Sequence, residues 1–220
     1  MSKHLRRELD KIKKKMLSLG ALVEERTRLA LQAVTSRDGV ISQKIIDSDW
    51  EVDEMEVEIE EECLKILALY QPVAVDLRFL IATIKINNDM ERIGDECVNI
   101  AERLTIIAKR PPMQFVFDYA PMAEKVQAML KASLDALVNL DVDLAFKVIT
   151  MDDDVDAIQT QAYDRIKEAI KEYPDRVSYL INLLLVSRHL ERLADHSTNI
   201  AEEVIYLIEG EIVRHGKLDG

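Results

Sequence analysis

Apolar residues recur at spacings of three and four along most of the chain, the period of helices with one face turned inward. Leu9, Ile12, Met16, Leu19, Val23 and Ala30 mark such a stripe on a first helix running from about Leu5 to Thr35, which Ser36-Arg37-Asp38-Gly39 ends. A second helix, about Val40 to Leu69, turns Ile45, Val52, Met55, Ile59, Cys63 and Ile66 inward, and Gln71-Pro72 stops it. Asp76 is a suitable N-cap for a third helix that ends near Lys109, with Met90, Ile93, Cys97, Ile100, Leu104 and Ile107 as its seam.

Arg110-Pro111-Pro112 breaks the pattern, and Met113 to Tyr119 reads as an apolar linker that Phe115 and Phe117 pin to the helices. A shorter helix follows, about Pro121 to Asn139, with a turn at Leu140-Asp141. The fifth helix occupies Val142 to Glu172. After Tyr173-Pro174-Asp175 a sixth runs to about Gly210, its seam formed by Leu190, Leu193, Ser197, Ile200, Val204 and Leu207.

The third and sixth helices repeat one another in polar as well as apolar positions. Glu91, Arg92, Asp95, Asn99, Ile100, Ala101 and Glu102 return as Glu191, Arg192, Asp195, Asn199, Ile200, Ala201 and Glu202, shifted by 100 positions. The second and fifth helices match too, Asp49 to Asp53 answering Asp152 to Asp156 at a shift of 103. The three-residue difference falls in the loop after the second helix, where two copies of one fold should differ. The expectation is an all-α chain of six helices in two tandem, similar up-down-up bundles. Residues 1–110 form the first, 111–119 the linker and 120–220 the second.

Each Glu-x-x-x-Asp or Asp-x-x-x-Asp pair places two carboxylates one turn apart on one helix face. Antiparallel neighbours bring Asp49 and Asp53 toward Glu91 and Asp95, and Asp152 and Asp156 toward Glu191 and Asp195, giving four carboxylates in each half. At about 8 Å and an effective dielectric near 20, each pair repels by roughly 2 kcal/mol, falling to about 0.5 in water. A tight cluster therefore needs protons, arginines or cations, and Arg92 and Arg192 answer that need incompletely. Oxygen donors without cysteine and with few histidines select hard cations such as magnesium, calcium, manganese or ferric iron. A solvated acidic face is the alternative, weakened by the duplication. His196 has no histidine counterpart at Glu96 and is expected to be an exposed neighbour. Trp50, inside the first acidic pair, packs over it or marks an interface.

Composition narrows the remaining choices. Only six glycines and five prolines, with 5% aromatic residues, suit long unbroken helices, and a formal charge of −12 disfavours nucleic-acid binding. A basic cluster at Arg6, Arg7, Lys11, Lys13, Lys14 and Lys15 is either a solvated helix end or a contact for an acidic partner or anionic membrane. Cys63 and Cys97 lack disulfide or zinc-site spacing and are expected to be reduced core or border residues. No apolar stretch approaches a membrane span and no signal peptide opens the chain, so a cytoplasmic location is expected. There is no glycine-rich phosphate loop, no nucleophile elbow and no Glu-x-x-His pair of di-iron bundles.

With its length, its paired bundles and the signatures Glu91-x-x-x-Asp95-x-x-x-Asn99 and Glu191-x-x-x-Asp195-x-x-x-Asn199, the chain resembles the PhoU family of phosphate-uptake regulators. The resemblance implies a non-enzymatic negative regulator of phosphate uptake and signalling. Its implied partners are the ATPase subunit of the phosphate ABC transporter and the associated sensor histidine kinase, with membrane association only through them, and a homodimer. It also implies multinuclear metal clusters of iron, manganese or magnesium rather than zinc. Their ligands would be Asp49, Asp53, Glu91 and Asp95 in one half and Asp152, Asp156, Glu191 and Asp195 in the other, with Asn99 and Asn199 as lesser contributors. A carboxylate-bridged metal hydrolase and a purely structural helical module are the competing readings.

Overall fold

The computed structural model describes residues 3–111, 113 and 117–213, and among these only helices, turns and coil occur. Seven α-helices are α1 (Lys3–Ser36), α2 (Gly39–Asp47), α3 (Trp50–Tyr70), α4 (Ala74–Ala108), α5 (Ala120–Asn139), α6 (Val142–Glu172) and α7 (Val177–Glu209). A single 3-10 turn, Pro174–Arg176, leads into α7. The six expected rods are all present, and the second is interrupted at Ser48 and Asp49, where α2 gives way to α3.

That interruption has a tertiary cause. The Arg26 guanidinium reaches from α1 to the carbonyl oxygens of Ser48 and Asp49, the latter at 3.3 Å, and Ser48 Oγ turns back to donate to the carbonyl of Lys44 at 3.0 Å. The same two carbonyls take only the shorter i+3 bonds from Glu51 N and Val52 N, at 3.2 and 3.1 Å, and the arginine completes their pairing, so the rod can break there at low cost. Met129 stands 103 positions after Arg26 and is wholly buried, and α6 runs unbroken through the corresponding residues.

The ends of the helices follow local chemistry. Asp38 caps α2 by accepting from Val40 N at 2.7 Å, and Asp141 caps α6 by accepting from Leu144 N at 2.9 Å. Gly210, at φ +80°, closes α7 in the left-handed conformation that glycine adopts without strain. Asp76 is not the cap of its helix. α4 begins two residues earlier, at Ala74, and Asp76 lies in the first turn, where the helix dipole favours a carboxylate.

The apolar stripes read from the sequence are the ones that are buried. Both free cysteines are in the core, with Cys97 Sγ 3.6 Å from Thr27 Oγ1. The core is continuous across both halves, because α4 and α7 pack against each other at its centre. They run antiparallel, since Lys85 meets Glu203, Asp89 meets Asn199, and Glu96 meets Arg192.

The linker is anchored by aromatic residues. Phe117 packs against the core and meets the Tyr119 ring edge-on, centroids 4.9 Å apart, while the buried Tyr119 hydroxyl donates to the carbonyl of Leu183 at 2.6 Å. Phe115 lies outside the described residues. Removing only that hydroxyl, in Tyr119→Phe, is expected to lower unfolding free energy by about 1 kcal/mol. Urea denaturation checks this, and an unchanged midpoint would assign the anchoring to the ring alone.

Candidate functional site

In each half the four acidic residues lie near enough to act on one another's charge. In the first half α3 and α4 approach closely at Gly94, where an added Cβ would stand 3.3 Å from Val52 Cγ1. That approach brings the end of the α2–α3 break beside the Glu91–Asp95 turn. Burial pushes the Asp49 carboxyl up from its ordinary range, with Asp53 and Asp95 adding to the rise and Arg26 opposing it. Burial likewise raises Glu91, helped by Asp95 and Asp53 and opposed by Arg92. Asp95 is raised by burial against Arg92, with Asp53 and Glu96 contributing.

The second ledge is less neutralised. Burial, then Asp195, Asp156 and Asp153, lift Asp152 to about 6. Burial, then Glu191 and Asp156, lift Asp195 to about 6 against His196 and Arg192. Glu191 is raised by burial and by Asp156 and Asp152. Two arginines make the difference: Arg92 stands 3.5 Å from Glu91 Oε2 and 3.8 Å from Asp95 Oδ2, whereas its counterpart Arg192 turns to Glu96, and Arg26 adds a second cation. Arg26, 3% exposed, sits 3.2 Å from Asp49 Oδ1 and 3.5 Å from Glu51 Oε2, and its counterpart in the second half is the uncharged Met129.

All eight sequence-selected carboxylates therefore belong to the two ledges. Among the described residues, however, no three His, Cys, Asp or Glu side chains stand together as a formed metal site. The donor chemistry fits a hard cation all the same. Each of the eight is a carboxylate; Asp152 Oδ1 is a buried atom without a hydrogen bond, and Glu91 Oε2, also without one, has Arg92 Nε 3.5 Å away. The second ledge thus holds a buried acceptor for which a cation would be a suitable partner.

Two further residues join the first ledge. Arg26 was detectable as a charge on the inward stripe of the first helix, between Val23 and Ala30. Glu56 continues the Asp49–Asp53 face by three residues, and burial raises its carboxyl, with Glu60 and Asp53 next. Glu56 also borders a polar cleft of about 620 Å³ between α3, α4 and α7, shared with Asp89, Asn199 and Glu202.

His196 is not the exposed neighbour expected. Its Nδ1 lies 2.9 Å from Asp89 Oδ1, which also accepts from Asn199 Nδ2 at 3.1 Å, so both α7 residues serve the contact between the halves. A second histidine, His189, lies 2.6 Å from Glu96 Oε2 while Arg192 reaches the other oxygen at 3.0 Å. Burial opposes ionisation of Glu96, but the His189 hydrogen bond and the Arg192 guanidinium hold it below the usual range. The pairs are related by the duplication, for Glu96 and His196 correspond, as do Asp89 and His189, so acids gather on α4 and histidines on α7. Neither pairing could be seen without knowing that α4 and α7 face one another. Trp50, at the start of α3, is largely exposed and does not seal the ledge.

A duplicated all-helical fold with an acidic signature on the last helix of each copy defines a class of paired three-helix bundles. The PhoU domain family matches residues 16–104 and 120–204, one match in each half, and the chain belongs to that family. It is 38% identical over 209 residues to the phosphate-specific transport system accessory protein PhoU homolog of Aquifex aeolicus, covering 95% of each chain. It is 36% identical over 217 residues to the homolog of Pseudomonas aeruginosa, covering 98% of this chain and 89% of that one. The crystal structure of PhoU from Pseudomonas aeruginosa superposes with a TM-score of 0.88 at 36% identity, over 94% of this chain and 99% of that one. PhoU from Streptococcus pneumoniae, a phosphate transport system regulatory protein, superposes with a TM-score of 0.83 at 30% identity, covering 95% and 99%.

Proposed function

We propose that this protein is a non-enzymatic, metal-binding adaptor that restrains phosphate uptake and phosphate-responsive signalling. Relatives covering nearly the whole chain are named as accessory proteins of the phosphate-specific transport system, which supports a part in regulating phosphate transport. The partners in this reading are the transporter's ATPase subunit and the sensor histidine kinase, and the adaptor works in the cytoplasm, as a homodimer, reaching the membrane through them. Among the described residues no helix is long and apolar enough to cross a membrane.

The observation that carries the metal part is the pair of ledges whose carboxylates hold protons above their ordinary range, together with Asp152 Oδ1, buried without a hydrogen bond. Asp49, Asp53, Glu91 and Asp95 would hold iron, manganese or magnesium on one ledge, and Asp152, Asp156, Glu191 and Asp195 on the other. The cation would supply charge neutralisation and tie neighbouring helices at a fixed spacing. In this reading residues 1–110 and 120–220 are the two arms, and residues 111–119 join them.

The test is binding of the purified chain to the ATPase subunit and to the kinase's cytoplasmic region, after chelation and after metal is restored. Metal should restore binding to the native chain and fail to restore it to Asp95→Ala combined with Asp195→Ala, while circular dichroism shows the variant still helical. Binding indifferent to both metal and substitution would remove the ledges from the mechanism. Failure to bind either partner under every condition would remove the adaptor itself.

A further inference from the structure

The corner at which α3 turns into α4 is apolar on its outer side. Leu69, Tyr70, Val73, Val75 and Leu77 are each between 37% and 75% exposed, and Pro72 among them is buried. Gln71 and Ala74 take positive φ, 45° and 50°, so the chain reverses within a few residues and Val73 stands at the outside of the turn. Large apolar side chains gathered in one turn exceed the single exposures of an ordinary surface and mark a place of contact. The fold does not demand them. The matching corner of the second half reads Glu172-Tyr173-Pro174-Asp175-Arg176, with Glu172 and Asp175 exposed to water.

Basic residues flank that corner. α1 runs antiparallel to α3, with Lys15 3.0 Å from Glu58 and Lys65 near enough to Glu8 to act on its charge. It runs parallel to α4, with Lys13 Nζ 5.4 Å from the Phe79 ring centre and Thr27 beside Cys97. Continuing both registers to the start of α1 sets Lys3, Arg6 and Arg7 level with the corner, and the buried Leu5 and Leu9 hold that part of α1 to the bundle. Lys3, Arg6 and Arg7 are exposed, and among the described residues they make no ion pair. Of the acids nearby, Glu8 is bound to Lys11 at 2.8 Å and Asp76 is half-buried in the first turn of α4, which leaves Asp10 as the exposed acid on this stretch of α1. Glu209 and Glu211 lie a turn further back, where Arg78 packs on Gly210.

A chain of formal charge −12 therefore presents unpaired cations beside apolar side chains at one tip. A bilayer surface of anionic lipid matches both features together, since its phosphates accept from lysine and arginine while its acyl boundary receives the apolar side chains. A second copy of the chain fits poorly, because a self-complementary contact would set the same cations against one another.

We propose that the α3–α4 corner and the start of α1 form a peripheral contact with an anionic lipid bilayer. Leu69, Tyr70, Val73 and Val75 enter the boundary between headgroups and acyl chains, and Lys3, Arg6 and Arg7 lie against the lipid phosphates. The contact is direct, adds to the association carried by protein partners, and involves neither the acidic ledges nor metal.

Co-sedimentation of the full chain, in chelator, with vesicles of equal parts phosphatidylglycerol and phosphatidylcholine tests this beside vesicles of phosphatidylcholine alone. Saturable binding is expected to the anionic vesicles only, and it should fall as added salt screens the phosphates. Arg6→Glu with Arg7→Glu should weaken it by about tenfold or more. Leu69→Ser with Val73→Ser, which leaves the net charge unchanged, should also weaken it by about tenfold, whereas Tyr163→Ser, at an exposed position on α6, should not. Circular dichroism checks that each variant remains helical. No binding to the anionic vesicles, equal binding to both compositions, or full binding by both double variants would each overturn the proposal. Should the native chain ignore vesicles while the same variants lose the transporter's ATPase subunit, the corner belongs to a protein partner and the lipid contact falls. The vesicles carry no protein, so failure here leaves the adaptor reading standing, and failure of the adaptor reading leaves this contact standing.

Discussion

Arg26→Met is expected to lower unfolding free energy by about 2–4 kcal/mol, although methionine is the residue the second half carries at the same place. The guanidinium is almost wholly buried and serves Ser48 O, Asp49 O, Asp49 Oδ1 and Glu51 Oε2 together. Methionine keeps much of the volume but removes the cation from the Asp49 and Glu51 carboxylates and leaves the two carbonyls only their backbone donors, and breaking one side of a buried pair costs about 3–5 kcal/mol when the remaining charge stays buried. Asp49 is partly exposed and water recovers some of the loss, hence the lower range. The substitution also removes the cation that opposes the rise of the Asp49 carboxyl. The first ledge should then behave like the second, with more proton uptake near neutral pH and greater stabilisation by added metal. Urea denaturation with and without metal measures both effects. A loss under about 1 kcal/mol in chelator would show that the α2–α3 break does not depend on Arg26.

The metal-free protein is expected to become more stable as pH falls from 7 to 5. Asp152 and Asp195 hold their protons to about 6 in the folded chain, against 3.8 for an ordinary aspartate. The folded state therefore binds more protons than the unfolded state between those values, so stability declines as pH rises through that window and is restored on acidification. A shift of that size corresponds to about 3 kcal/mol for an isolated group, but both are substantially solvated and share one cluster, so together they should contribute about 1–2 kcal/mol. Below this window Glu96, held low by His189 and Arg192, begins to protonate and its contribution is lost, which sets an acid limit. Metal should reverse the slope, because cations compete with protons for the same oxygens. Asp152→Asn with Asp195→Asn should flatten the pH profile in chelator, raise stability at pH 7 by about 1–2 kcal/mol and reduce the response to metal. Thermal unfolding at pH 5, 6 and 7 in chelator decides the matter, and a native chain that loses stability over that range would sink the account.

The two halves are thus not interchangeable, and the sequence marks the difference only indirectly. Asp49, Asp53, Glu91 and Asp95 align with Asp152, Asp156, Glu191 and Asp195, and nothing in that alignment distinguishes their charge states. The distinction comes from Arg26 against Met129, and from Arg92 staying with its own ledge while Arg192 crosses to Glu96.

Periodic burial and repetition of polar residues were enough, in the chain alone, to determine helical rods, their order, the duplication and the pairing of four carboxylates in each half. Those features depend on which residues share a helix face, and the period of 3.6 fixes that locally. The sequence could not show that α2 and α3 are separate, because the reason is an arginine 22 residues away from Ser48. Nor could it place His196 against Asp89, or His189 against Glu96. Those contacts arise where α4 and α7 cross between the halves. They were settled by tertiary packing, since bringing together side chains about 100 residues apart depends on how the two bundles dock, which helical periodicity does not encode.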